Sequence, residues 1–112
     1  MLGTRLQIFL TEDDRIGRRR AHEVLLQRAR DCEMAGVTIW RAIEGYGRSR
    51  QIRTSRFPDA LLGLPVVLEL LDEPGKVEEF LAVVSELAPG AFAISEPVRM
   101  ARRSTGTDRR PE

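Results

Sequence analysis

The 112-residue chain, 42% hydrophobic and 31% charged, is sized for one domain with a single core. Its lone cysteine, Cys32, leaves no internal disulfide and no multi-cysteine metal site. No run approaches the roughly 18 apolar residues of a membrane helix and no leader pattern opens the chain, so a cytoplasmic protein is expected.

The net charge of +1 hides a segregation. Residues 1–40 sum to +1, residues 41–56 to +4, residues 57–96 to −7 and residues 97–112 to +3. All basic residues but Lys76 are arginine. Clustered charge of one sign draws ligands of the other.

In chain order, "TRLQIFL" (Thr4–Leu10) alternates Leu6, Ile8 and Leu10 against Arg5, Gln7 and Phe9, the period of a half-buried strand. The polar "TEDDRIG" follows as a loop. From Arg18 to Ala35, Ala21, Val24, Leu25, Ala29 and Cys32 recur at helical steps. That pattern predicts an amphipathic helix with a buried Cys32 and with Gly36 as its C-terminal glycine. "VTIWRAIE" (Val37–Glu44) reads as a second strand. A loop over Gly45–Gly63 leads to Pro65 and "VVLELL", an apolar run suited to a strand covered on both faces. Asp72, Glu73 and Pro74 open a second helix with Val77, Phe80, Leu81, Val84 and Leu87 on its inner stripe. "AFAISEPVRMA" (Ala91–Ala101) is the last strand, with Pro97 marking an edge or a bulge. Residues 104–112 read as a disordered C-terminal tail, leaving residues 1–103 as the domain.

The order β-α-β-β-α-β specifies an α+β, ferredoxin-like fold, with two helices on one face of a four-stranded antiparallel sheet. Phe9, Trp40 and the second side of "VVLELL" then lie on the other face, and an apolar sheet face points to self-assembly.

"RAIEGYGRSRQIRTSR" (Arg41–Arg56) carries five arginines and one acid. Gly45 and Gly47 flank Tyr46 and can let backbone amides approach a ligand. Arg48, Arg50, Arg53 and Arg56 offer guanidinium forks that match phosphate oxygens. Arg41 lies in the strand just before. A competing reading makes these arginines a solvated or subunit-bridging surface, paired with Glu73, Glu78, Glu79 and Glu86. The remaining candidates are weaker. His22 has no second ligand nearby, and "TEDD" reads as solvated or helix-terminal charge before it reads as a Mg²⁺ site, so no metal is expected. Glu69, inside the apolar strand, needs a partner, and Arg41 is the candidate.

"GVTIWRAIEGYG" (Gly36–Gly47), "IRTSR" (Ile52–Arg56) and "LPVVLELLDEPGKVEEFL" (Leu64–Leu81) resemble the PII-like family called "domain of unknown function 190". The opening "LQIFLTEDDRIGRRRAHEVLLQRAR" is similar to its first strand and helix. The resemblance spans residues 4–103 and implies a homotrimer of ferredoxin-like protomers. It further implies an inter-subunit cleft at the base of the long loop for an adenine nucleotide: ATP, ADP, AMP or cyclic AMP. Arg102 and Arg103, after the last strand, are implied to approach the phosphates of a neighbouring subunit's ligand. The loop would then report the ligand to a partner such as a membrane transporter or channel. This loop is shorter than in true PII proteins and differs in sequence.

The expected function is therefore a PII-like signalling protein, not an enzyme. A small phosphate-handling enzyme is the alternative, but the chain has no asparagine to position water as acylphosphatases do. An RNA-binding module is the other, but aromatics are only 5%, so no nucleic acid is expected.

Overall fold

In a computed structural model, which describes residues 1–56 and 63–101, the chain runs β1 (Leu2–Thr11), β2 (Arg15–Ile16), β3 (Arg19–Arg20), α1 (Ala21–Asp31), β4 (Val37–Arg41), β5 (Glu44–Gly45), β6 (Arg53–Thr54), β7 (Pro65–Asp72), α2 (Pro74–Leu87) and β8 (Phe92–Arg99). The main sheet has the order β4-β7-β1-β8, every pair antiparallel. This is the ferredoxin-like arrangement expected. The expected boundary at residues 103 and 104 falls outside the described residues.

Strand parity decides which side chains meet the helices. Leu6, Ile8 and Leu10 of β1 face Leu70, Leu68 and Val66 of β7 across the ladder. All six are buried, with Ala21, Leu25 and Ala29 of α1 and Val77, Phe80 and Val84 of α2 above them. The helical residues recur at three- and four-residue steps, so each helix lays one stripe on the sheet. Each large side chain removed from water contributes about 1.5–3 kcal/mol.

α1 is shorter than the sequence suggests at both ends. Residues 15–20 fold instead as a two-stranded hairpin, β2–β3, turned at Gly17 with φ +63°. At the other end Glu33, not Gly36, takes the left-handed conformation, with φ +58°. The Met34 amide donates to the Ala29 carbonyl and the Glu33 amide to Arg30, both at 3.0 Å, which closes a Schellman turn. Lys76 Nζ of α2 donates to the Cys32 and Glu33 carbonyls at 3.2 and 2.9 Å. Cys32 is thus past the last turn and exposed, not buried in the helix stripe. Asp72, buried at the end of β7, accepts the Ala35 amide at 2.8 Å and fixes the α1–β4 connection.

The second sheet face is open. Phe9 and Phe92 meet there at 5.7 Å between ring centroids. Trp40, Phe92 and Ile94 are 57%, 66% and 41% exposed. Polar groups share this face: Gln7 Nε2 donates to Glu69 Oε1 at 3.0 Å, and Arg5 pairs with Glu96. Glu69 is therefore not paired with Arg41. Register explains it: Glu69 lies opposite Gln7 and Thr38, whereas Arg41 lies opposite Val66, on the helix-side parity.

Candidate functional site

The C-terminal ends of β1 and β4 and the start of β7 lie side by side, with Thr11 opposite Pro65 and Arg41 opposite Val66. The "TEDD" segment and the long loop therefore leave the sheet at one end. Thr11 is held in a turn with Asp14: the Asp14 amide donates to the Thr11 carbonyl at 3.2 Å, and Asp14 Oδ2 accepts the Thr11 amide at 2.8 Å. The turn aims Glu12 and Asp13 at the loop.

Both acids hold its stem. The Glu12 amide donates to the Leu64 carbonyl and Glu12 Oε1 accepts the Leu64 amide, each at 2.9 Å. Glu12 Oε2 meets Arg41 Nε at 2.9 Å. Asp13 Oδ2 accepts the Gly63 amide at 2.8 Å and Arg53 Nη1 at 2.9 Å. Arg53 Nη1 also donates to the Gly63 carbonyl at 2.9 Å. Hydrogen bonding from the Leu64 amide first, then Arg41, holds the Glu12 carboxyl below its ordinary 4.5, against an opposing push from burial. The Gly63 amide, then Arg53, holds the Asp13 carboxyl below its ordinary 3.8. Arg20 lowers Glu12 further through its charge, and Arg15 does the same to Asp13. We call this arrangement the clasp.

Gly63 is required for it by space. A Cβ there would sit 2.7 Å from Asp13 Oδ1 and 2.8 Å from Glu12 Cβ.

The loop has a stem of its own. β5 pairs with β6, Glu44 opposite Thr54 and Gly45 opposite Arg53. Glu44 Oε1 accepts Thr54 Oγ1 at 2.9 Å and pairs with Arg56 Nε at 3.0 Å. The tip turns through an Arg50 amide bond to the Gly47 carbonyl at 2.9 Å, with Arg50 at φ +61°. Gly45 and Gly47 do not take positive φ; the one left-handed residue of the tip is Arg50. A Cβ on Gly47 would meet nothing within 4 Å.

The ten candidate ligand residues thus divide. Arg41, Arg53 and Arg56 are each engaged by a carboxylate, from Glu12, Asp13 and Glu44 respectively. None of those acids belongs to α2, so within the protomer these arginines pair with carboxylates other than those of the acidic helix. Gly45 lies in the stem, while Tyr46, Gly47, Arg48 and Arg50 form an exposed tip. Arg102 and Arg103 lie outside the described residues. Sequence reasoning missed Glu12 and Asp13 as loop partners, and the hairpin arginines beside them. Among the described residues no group of three or more His, Cys, Asp or Glu could hold a metal ion.

The family model DUF190, "Uncharacterized ACR, COG1993", matches residues 3–100. The chain is a member of the DUF190 family. A UPF0166 protein of Aquifex aeolicus (strain VF5) is 33% identical over 91 residues, 81% of this chain and 87% of that protein. Among solved structures, CPII of Thiomonas intermedia K12, a nitrogen regulatory PII-like protein bound to ADP, AMP and bicarbonate, aligns over 91% of both chains with TM-score 0.68 at 13% identity. A putative PII-like signalling protein of Thermus thermophilus aligns over 88% of this chain and 86% of its own, with TM-score 0.60 at 18% identity. CutA1 of Oryza sativa aligns over 91% and 84%, with TM-score 0.61 at 11% identity. These likenesses establish a PII-like fold for this DUF190 protein.

Proposed function

We propose that this DUF190 protein is a PII-like regulator, not an enzyme. It assembles as a homotrimer through the open sheet face and binds a small anionic ligand, an adenine nucleotide, in a cleft between subunits. The Gly45–Gly63 loop relays occupancy to a partner such as a membrane transporter. The observation that carries the reading is the clasp. Two carboxylates occupy Arg41 at the end of β4 and Arg53 of the loop, and hold the Gly63–Leu64 end of the loop. A phosphate presents the same chemistry to a guanidinium, so a nucleotide competes with Glu12 and Asp13 for Arg41 and Arg53. Binding then frees or re-seats the stem, an order change driven by charge exchange. The nucleotide-bound fold of CPII favours the adenine class. Tyr46, 67% exposed, is free to stack on a base. Arg48 and Arg50 remain to take phosphate, and Arg102 and Arg103 are assigned to the neighbouring subunit's ligand.

The trimer rests on the apolar open face: aromatic rings left in water cost free energy that a subunit contact recovers.

The test is thermal melting with ATP, ADP, AMP and cyclic AMP. Ligand at 100 times its dissociation constant adds about 2.7 kcal/mol, a clear rise in Tm. Replacing Arg48 and Arg50 by Ala should abolish the rise and leave the unliganded melt unchanged. No shift with any of the four at millimolar concentration would sink the nucleotide assignment.

A further inference from the structure

The β2–β3 hairpin is unusual in its charge. Arg15 lies directly opposite Arg20, and Arg19 opposite Ile16, with Arg18 beside the Gly17 turn. Like charges facing across a strand pair oppose its formation. All four arginines are exposed, and among the described residues none is in an ion pair. Ile16 alone packs toward the core and anchors the hairpin.

The hairpin follows the Thr11–Asp14 segment, at the same end of the sheet as the loop stem. Asp13, two residues before the hairpin, pairs with Arg53 of the loop's β6 stem. The acids nearby are engaged within the protein: Glu12, Asp13 and Glu44 pair with Arg41, Arg53 and Arg56, and Asp14 accepts the Thr11 amide. Residues 11–20 and 41–56 together hold nine arginines against these four carboxylates, a net +5. The hairpin arginines and Arg48 and Arg50 reach solvent with no ion-pair partner among the described residues, and the exposed Asp13, Asp14, Glu23 and Glu44 offset only part of their charge. Apolar side chains stand among them: Ile43 is 75% exposed and Ile52 65%. The exposed acids Glu73, Glu78 and Glu79 lie in the first half of α2, which starts from the opposite end of β7.

We propose that this end of the protein docks on an anionic phospholipid surface. The hairpin arginines take headgroup phosphates, and Ile43 and Ile52 enter the interfacial layer. Basic charge combined with exposed aliphatic side chains is the chemistry of an interfacial membrane contact. A nucleic acid would use the guanidinium groups but has no complement for two isoleucines. The acids at the start of α2 are repelled by the same surface, so the charge asymmetry sets the orientation. The hairpin lies outside the Gly45–Gly63 loop, whereas Ile52, Arg48 and Arg50 lie within it, so the hairpin arginines carry the part of the proposal that does not depend on nucleotide binding.

The test is co-sedimentation with phosphatidylcholine vesicles, with and without phosphatidylserine. The native protein should bind only the anionic vesicles and should be released by high salt. Arg18→Ala with Arg19→Ala, at exposed positions without internal partners, should weaken partitioning about 25-fold, roughly fivefold per arginine. Ile52→Ser should also weaken it while its salt dependence persists. Melting curves verify that both variants fold. The proposal is overturned if the native protein ignores anionic vesicles or if the double variant binds them equally well. It is equally overturned if Ile52→Ser has no effect, or if duplex DNA binds as tightly as the vesicles do, because the end is then a general polyanion site.

Discussion

Replacing Gly63 by Ala tests the clasp through one methyl group. The added Cβ lies 2.8 Å from Glu12 Cβ and 2.7 Å from Asp13 Oδ1, inside any tolerable approach, so the Asp13 carboxylate must swing away. It then gives up the Gly63 amide and Arg53 Nη1 together. Hydrogen bonds to a charged group contribute about 1.5–3 kcal/mol when sheltered. Asp13 is 50% exposed, which brings the expected loss for the pair down to about 1–2 kcal/mol. Alanine also narrows the unfolded ensemble, worth about 0.4–1 kcal/mol in the opposite direction. Gly47→Ala carries that same gain without a clash, because its Cβ meets nothing within 4 Å and its φ is not positive. The difference between the two variants therefore isolates the clasp. For a domain of about this size each kcal/mol moves Tm by roughly 4–8 °C, so G63A should melt roughly 4–16 °C below G47A. Hydrogen exchange at the amides of residues 63 and 64 should accelerate in G63A alone. If the two variants melt together and those amides stay protected, the carboxylates do not hold the loop stem.

The remaining predictions concern charge, a turn and the open face. Glu12 and Asp13 have depressed folded-state pKa values, so their stabilisation is present above the ordinary 4.5 and 3.8 and is lost as pH falls below them. Denaturant titrations should show Asp13→Asn less stable than native at neutral pH and the gap closing in acid; a gap that persists in acid contradicts the ion-pair assignment. Glu33→Gly relieves a left-handed glutamate and should stabilise by about 0.5–1 kcal/mol, read from the denaturant midpoint; a loss of stability would mean the side chain matters more than the φ. Phe92→Glu, on the open face and 66% exposed, should convert the assembly to monomers in sedimentation equilibrium while the circular dichroism stays native. Unchanged mass would remove this face from the subunit contact.

Much of the fold was legible because apolar period reports burial directly. Leu6, Ile8 and Leu10 alternate, and their register partners Leu70, Leu68 and Val66 lie in the apolar stretch of the central strand β7, broken only by Glu69. Pro97 pointed to an edge or a bulge, and among the described residues β8 pairs only with β1. The hairpin escaped notice because "RIGRRR" has a single apolar residue, too few to show any period. The end of α1 was misplaced because a Schellman turn normally advertises itself with glycine, and here a glutamate fills the position. At the candidate site the arginines were visible but their partners were not. Glu12 and Asp13 are tens of residues from Arg41 and Arg53 along the chain. Only the pairing of Thr11 with Pro65 brings them to the same place. The Glu69–Arg41 pairing failed for a related reason: one step of strand parity separates the two sheet faces.

The lysine cap on α1 has a practical consequence for anyone labelling this protein. The one lysine of the sequence, Lys76, already donates its amine to the carbonyl oxygens of Cys32 and Glu33. Acylation with an N-hydroxysuccinimide ester would therefore strip a helix of its terminal support, and the modified fraction should melt earlier than the rest. The solvent-facing thiol of Cys32, unique in the sequence, gives a maleimide fluorophore or a surface tether one defined point of attachment without that damage.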